Sequence, residues 1–383
     1  MSLISYFRQT HPPICHMLAV QSQMNYNTNT ETEKIAPYTH QEFTHQDSEI
    51  TPTTTCFTLP DLISDCPFPT AYHPSGDAIS AESALWLDNA CPQLNEKRRK
   101  AVYGLKSGIL AGYCYTSPQI SDYRLRIVAD YLNYLFHLDN ISDGMLNRET
   151  EHLSEAVMNA LYFPEDEPED EINAARVARD LWRRCIRDGR AGPGFQARFK
   201  KTLQLYFDST LTQARARDAG YTPDLESYIE FRRDNSGIDL PDCVVEDPHM
   251  QALDELTNDI VTWSNDIWSY DVEQSRDDAE YNMLTILMKY HGHTLQSASN
   301  HVGDLCHQAT KSFVETSKNL PSWGPEIDDM VRRYIKGLED WIIGAIRSVH
   351  WSFETQRYFG NKGLEVKRTR VVALAPVSEK HKW

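Results

Sequence analysis

The sequence predicts an all-α protein, a single helical bundle built around a central site. Its 383 residues are enough to bury a substantial core. After residue 56, nearly every long segment repeats its apolar residues at helical spacing, with few strand-like alternations. Prolines and acidic loops separate those segments, and there is no internal repeat. Bundles of this kind build sites from side chains on facing helices.

Taken in chain order, residues 1–56 form a polar extension typified by "QSQMNYNTNTETEK" and "TPTTT", rich in Thr, Gln and Asn and expected to be disordered. The composition changes at "FTLPDLISDCPFP". From there helices are expected at 80–90, 96–112, 119–143, 149–161, 171–188, 195–218, 224–234, 250–275, 281–289, 293–318 and 325–358. The charge run "FPEDEPEDE" at 163–171 is expected to be a solvated loop between two of them.

A formal net charge of −17 argues against a nucleic-acid partner, because binding phosphates requires a basic face. The eight cysteines lie singly, without a CxxC pair, as expected of reduced thiols. No run approaches the length of a membrane span and the N-terminus lacks a secretory apolar core, so a soluble cytoplasmic protein, monomer or homodimer, is expected.

Two stretches carry chemistry. In "LFHLDNISDGM", residues 135–145, the stripe Leu125, Val128, Leu132 and Leu135 continues to Asp139, with Asp143 one turn further on the same face and Gly144 as a helix stop. A carboxylate on such a stripe needs a partner, and two in succession point to a cation. A helix-loop-helix calcium site does not fit: counted from Asp139, its third and twelfth positions would be Ile141 and Thr150. In "NDIVTWSNDIWSYDVEQS", Asn265, Ser269 and Glu273 follow one another at spacings of four, putting three oxygen-bearing side chains on one face. Leu253, Leu256, Ile260, Ile267 and Trp268 pack the other faces. Oxygen donors of mixed charge suit magnesium completed by substrate phosphate oxygens. A hydrogen-bonded polar seam is the plainer alternative for this face alone.

These residues resemble the class I terpene synthases, especially the sesquiterpene synthases of mushroom-forming fungi. "DNISD" looks like that family's aspartate-rich motif, with Asn140 where a second acidic residue is usual, and "NDIWSYDVE" matches (N/D)DxxSxxxE at all defining positions. The resemblance runs from "FTLPDL" to "WSFETQRYFG" and implies a catalytic domain over 57–362, with 363–383 a basic tail or lid. It further implies that Arg357 and Tyr358 hydrogen-bond a diphosphate, that Arg233 senses it, and that Ser236 and Gly237 follow as linker and effector positions. Farnesyl diphosphate would be the substrate, held by three magnesium ions between Asp139 and Asp143 on one side and Asn265, Ser269 and Glu273 on the other. Phe136, with Tyr131, Tyr134 and Trp263, would shield the resulting carbocation. "LNYLFHLDNISD" is most similar to the group that closes carbon 1 onto carbon 11, giving protoilludene-type skeletons.

One departure stands out. The family's usual long helix after the sensing arginine is replaced by "IDLPDCVVEDPHM", where Pro241 and Pro248 break any 3.6 period. A catalytically impaired or non-enzymatic helical protein is therefore the competing expectation. A prenyl-chain-elongating synthase ranks below it for lack of a second DDxxD-type motif.

Overall fold

A computed structural model describes residues 56–64, 66–142, 145, 147–219, 240–355 and 357–377. The expected helix at 224–234 lies outside the described residues, as do Arg233, Ser236, Gly237, Asp143 and Gly144. The architecture is helical, with one small strand pair. In order come β1 (Cys56–Thr58), α1 (Gly76–Ala90), α2 (Glu96–Leu105), α3 (Ser107–Cys114), α4 (Asp122–Ser142), α5 (Asn147–Tyr162), α6 (Asn173–Arg187) and α7 (Pro193–Ala219). After them come α8 (Asp242–Val245), α9 (Pro248–Ser275), α10 (Met283–His291), α11 (Leu295–Ser317), α12 (Pro325–Glu354), α13 (Gly363–Thr369) and β2 (Val371–Ala373).

Helix starts follow capping chemistry. Asn95 accepts from the Arg98 N–H to open α2, and Asp247 accepts from His249 and Met250 to open α9, with Pro248 in the first turn. Thr294 and Ser297 form a capping box at α11. The single helix expected over 96–112 is instead two, because Lys106 takes a left-handed conformation (φ 51°) between α2 and α3. Periodicity cannot register one residue turned out of the helical well. The turn brings α3 against α1 backbone to backbone: a Cβ on Gly108 would lie 2.4 Å from the Gly76 carbonyl oxygen.

Helix α4 stands between two apolar clusters. Leu125, Ala129 and Leu132 join the cluster that α9, α11 and α12 build, whereas Ile127, Tyr134 and Leu138 join that of α5, α6 and α7. Buried Asp130 fixes α4 to α6, accepting from Arg126 at 2.8 Å and Arg184 at 2.7 Å. With both flanks packed, Val128, Leu135 and Asp139 form a half-buried strip between them.

The strands pair antiparallel, with Phe57 opposite Val372, both buried. Three-residue strands are too short for alternation to reveal in sequence. The pair ties residues on either side of the expected 56/57 and 362/363 boundaries to each other. Beyond β2, the Ala375 N–H donates to Asp271 at 2.7 Å, and Gln274 donates to the Ala375 carbonyl at 2.8 Å. No helix among the described residues is long and apolar enough to cross a membrane. The seven described cysteines are free thiols, and burial pushes those of Cys91 and Cys185 up to about 11.

Candidate active site

The helix carrying the second motif is enclosed, as its sequence predicts: Leu253, Ile260, Ile267 and Trp268 are all buried. Asn265, Ser269 and Glu273 share its remaining face over two turns. Helix α12 ends at Glu354 rather than running to 358, and Thr355 is extended (φ −103°, ψ 166°). Arg357 and Tyr358 therefore lie beyond helical register, and their neighbouring side chains can diverge.

They reach the two motifs separately. The Arg357 guanidinium donates to Asp139 at 3.1 Å and to Asn140 at 3.3 Å, both on α4. Its next neighbour, Tyr358, accepts a 2.7 Å hydrogen bond from the Asn265 amide on α9. Phe136 lies beneath Arg357, with the guanidinium carbon 4.7 Å from the ring centroid. Tyr358 is buried, and burial raises its phenol above the ordinary tyrosine range, so the hydroxyl keeps its proton at neutral pH.

The donor set fits a hard divalent cation. The Ser269 hydroxyl is buried without any hydrogen-bond partner, a costly state for a group that no ligand engages. It stands on the same face as an amide and a carboxylate, the oxygen types that magnesium prefers. Because Asn265 uses its nitrogen toward Tyr358, its carbonyl oxygen is the atom available to a cation.

Several expected residues fall elsewhere. Tyr134 is core, its hydroxyl donating to the Ala174 carbonyl at 2.9 Å, and Tyr131 packs on Phe199 with ring centroids 5.4 Å apart. Both belong to the α5–α7 side, and Trp263 is buried in the other cluster, so Phe136 alone of the four meets Arg357. The stripe places Asp139 correctly at the last turn of α4. An open cleft of about 990 Å3, lined by residues including Arg98, His137, Asn140 and His152, adjoins the end of α4; of the first motif Asn140 and Ile141 line it, whereas Asp139, Asn265, Ser269 and Glu273 do not. Spacing also left Asn282 unnoticed: its amide donates to Glu273 at 3.0 Å. The sequence signal available there, an Asn before an apolar run, marks only a helix cap.

The chain matches the family model described as terpene synthase family 2, C-terminal metal binding, over residues 130–312. It is 56% identical over 341 residues to the alpha-muurolene synthase of Coprinopsis cinerea, covering 84% of this chain and 78% of that protein. To a sesquiterpene synthase of Cyclocybe aegerita it is 54% identical, covering 88% and 98%. A delta(6)-protoilludene synthase of Stereum hirsutum is more distant, at 33% identity covering 83% and 88%. Among solved structures, an alpha-eudesmol synthase superposes with a TM-score of 0.64 at 16% identity, covering 73% of this chain and 96% of that one, a likeness of fold. The chain belongs to the terpene synthase family, and it is an enzyme of that class.

Proposed function

We propose that this enzyme ionises farnesyl diphosphate, cyclises the resulting carbocation and forms a sesquiterpene hydrocarbon when the final cation loses a proton, with release of diphosphate. The observation that carries the reading is the bridge made by two consecutive residues, Arg357 to Asp139 and Tyr358 to Asn265, joining motifs on helices far apart in sequence. Relatives named for sesquiterpene synthesis support the substrate class.

Asn265, Ser269 and Glu273 would hold magnesium on one side and Asp139, with Asp143, on the other, three ions in all. Bound magnesium supplies charge neutralisation to the leaving diphosphate. The chain's own groups do the rest. Arg357 donates charge-assisted hydrogen bonds to diphosphate oxygens, and Tyr358, held protonated, donates a neutral one. Arg233 adds a second guanidinium and Gly237 a backbone contact. These donors stabilise the leaving group where its charge develops, so the carbon–oxygen bond breaks heterolytically and an allylic cation remains. Phe136 offers its ring to that cation once Arg357 has turned to the diphosphate. The segment after residue 363, fastened to α9 beside the motif through Ala375, serves as a lid that keeps water out.

Closure of carbon 1 onto carbon 11 is the ring-forming step expected from "LNYLFHLDNISD", although the relative named for a protoilludene product is the more distant one. The test is incubation with farnesyl diphosphate, with magnesium or with EDTA, reading volatiles by gas chromatography-mass spectrometry and free diphosphate in parallel. A magnesium-dependent cyclic hydrocarbon supports the proposal, and its skeleton decides the closure. Linear longer prenyl diphosphates, or no turnover by folded protein, would overturn it.

A further inference from the structure

Between α9 and α10 the chain turns back in seven residues, and the turn is anchored at its far end by Asn282, whose side chain is fully buried. Both amide hydrogens and the amide oxygen are engaged. Oδ1 accepts from the Leu284 N–H at 3.0 Å, capping α10. One Nδ2 hydrogen goes to the Asp266 carbonyl at 2.9 Å, and the other to the Glu273 carboxylate at 3.0 Å. The amide cannot be reversed: flipping it would set a donor against the Leu284 N–H and an acceptor against Glu273. Beside it, Asp266 accepts from the Met283 N–H at 2.9 Å, so the first two N–H groups of α10 are bound to side chains and the far end of the turn is pinned to α9 by two adjacent residues.

We propose that Asn282 is a positioning residue for the metal site, its amide fixing the Glu273 carboxylate in the orientation that ligates the cation. The inference rests on the metal reading given under Proposed function. Glu273 is the last donor of its face, near the end of α9, and its carboxylate accepts from this buried amide; a long flexible side chain gains most from a partner that is itself fixed. A donor that is itself rigid supplies that orientation, and losing a partner of this kind costs about 10- to 100-fold in metal affinity.

Two variants of the full-length chain separate positioning from capping. In Asn282→Asp the cap to Leu284 is kept, since aspartate caps as well as asparagine, but the donor facing Glu273 becomes an acceptor. Mn2+ binding is followed by electron paramagnetic resonance in the presence of inorganic diphosphate, beside melting temperature. Asn282→Asp should weaken Mn2+ binding by about 10- to 100-fold, and it should also lower the melting temperature, because a buried acceptor then faces both the Asp266 carbonyl and the Glu273 carboxylate; the binding is therefore read well below the melting range. The same substitution added to Glu273→Gln should weaken it no further, because Asn282 acts through that carboxylate. Unchanged Mn2+ affinity in Asn282→Asp, or full additivity with Glu273→Gln, overturns the inference alone. A wild-type chain that holds no Mn2+ with diphosphate overturns the metal reading and this inference with it.

Discussion

Replacing Arg357 with lysine keeps the charge and removes the planar fork, so it separates what this residue contributes to stability from what it contributes to turnover. In the ligand-free chain, Arg357 pairs with an Asp139 side chain that is 50% exposed, and such pairs contribute about 0.2–1 kcal/mol. Its 3.3 Å contact to Asn140 is at the long end for a hydrogen bond, and the stacking on Phe136 adds about 0.5–1 kcal/mol. Lysine retains part of each. The net loss is about 1 kcal/mol, a fall in melting temperature of about 1 °C for a chain of 383 residues. Turnover should suffer more. Each charge-assisted hydrogen bond to the departing diphosphate is worth about 1.5–3 kcal/mol, so losing one lowers kcat/KM about 10- to 150-fold. The assay pairs diphosphate release across farnesyl diphosphate concentrations with a thermal melt. Activity within twofold of wild type would refute the assignment of Arg357 to the diphosphate, whatever the melt shows.

Asp139→Ala should abolish turnover while leaving far-ultraviolet circular dichroism unchanged, because α4 is held by Asp130 and by its two apolar flanks rather than by this residue; retained activity would rule out a metal site shared between Asp139 and the α9 face. Ser269→Ala should move stability and metal demand in opposite directions. Removing an unsatisfied buried hydroxyl should raise the metal-free melting temperature by about 1–3 °C, whereas losing a donor worth about 1.4 kcal/mol should raise the magnesium half-saturation about tenfold. Gly108→Ala should cost about 1–3 kcal/mol in urea unfolding, because its Cβ would meet the Gly76 carbonyl oxygen at 2.4 Å; a neutral result would mean that α1 and α3 separate easily.

Much of this was legible because helical periodicity and metal-ligand spacing are both local. The α9 face needs only the repeat of four, and the strip ending at Asp139 needs only the 3–4 alternation of α4. What the sequence concealed depends on single dihedrals or on tertiary approach. Lys106 breaks a periodic segment by one left-handed residue, and Thr355 ends α12 before Arg357. Neither event changes the pattern of apolar residues. Tyr134 looked like a candidate wall because it is aromatic and near the motif, yet the face of α4 it occupies belongs to the other cluster. Asn282 could be read as a cap, but its contact with Glu273 exists only because the turn folds back.

The early end of α12 has a functional consequence. Were the helix continued, consecutive residues would diverge by about 100° around one axis. With Thr355 extended, Arg357 instead reaches α4 while Tyr358 stays buried against α9. In the free chain Arg357 thereby covers Asp139 with a cation, at the position where metal and diphosphate are proposed to arrive. That pair is half-exposed and weak, so exchanging it costs about 1 kcal/mol or less, well below what a charge-assisted contact to diphosphate returns. The Tyr358 contact with Asn265 is half-buried and short, and it leaves the amide oxygen to a cation, so it need not break at all. One arm of the bridge is built to exchange and the other to hold. Arg357 can move to the substrate while α9 keeps its donors in place.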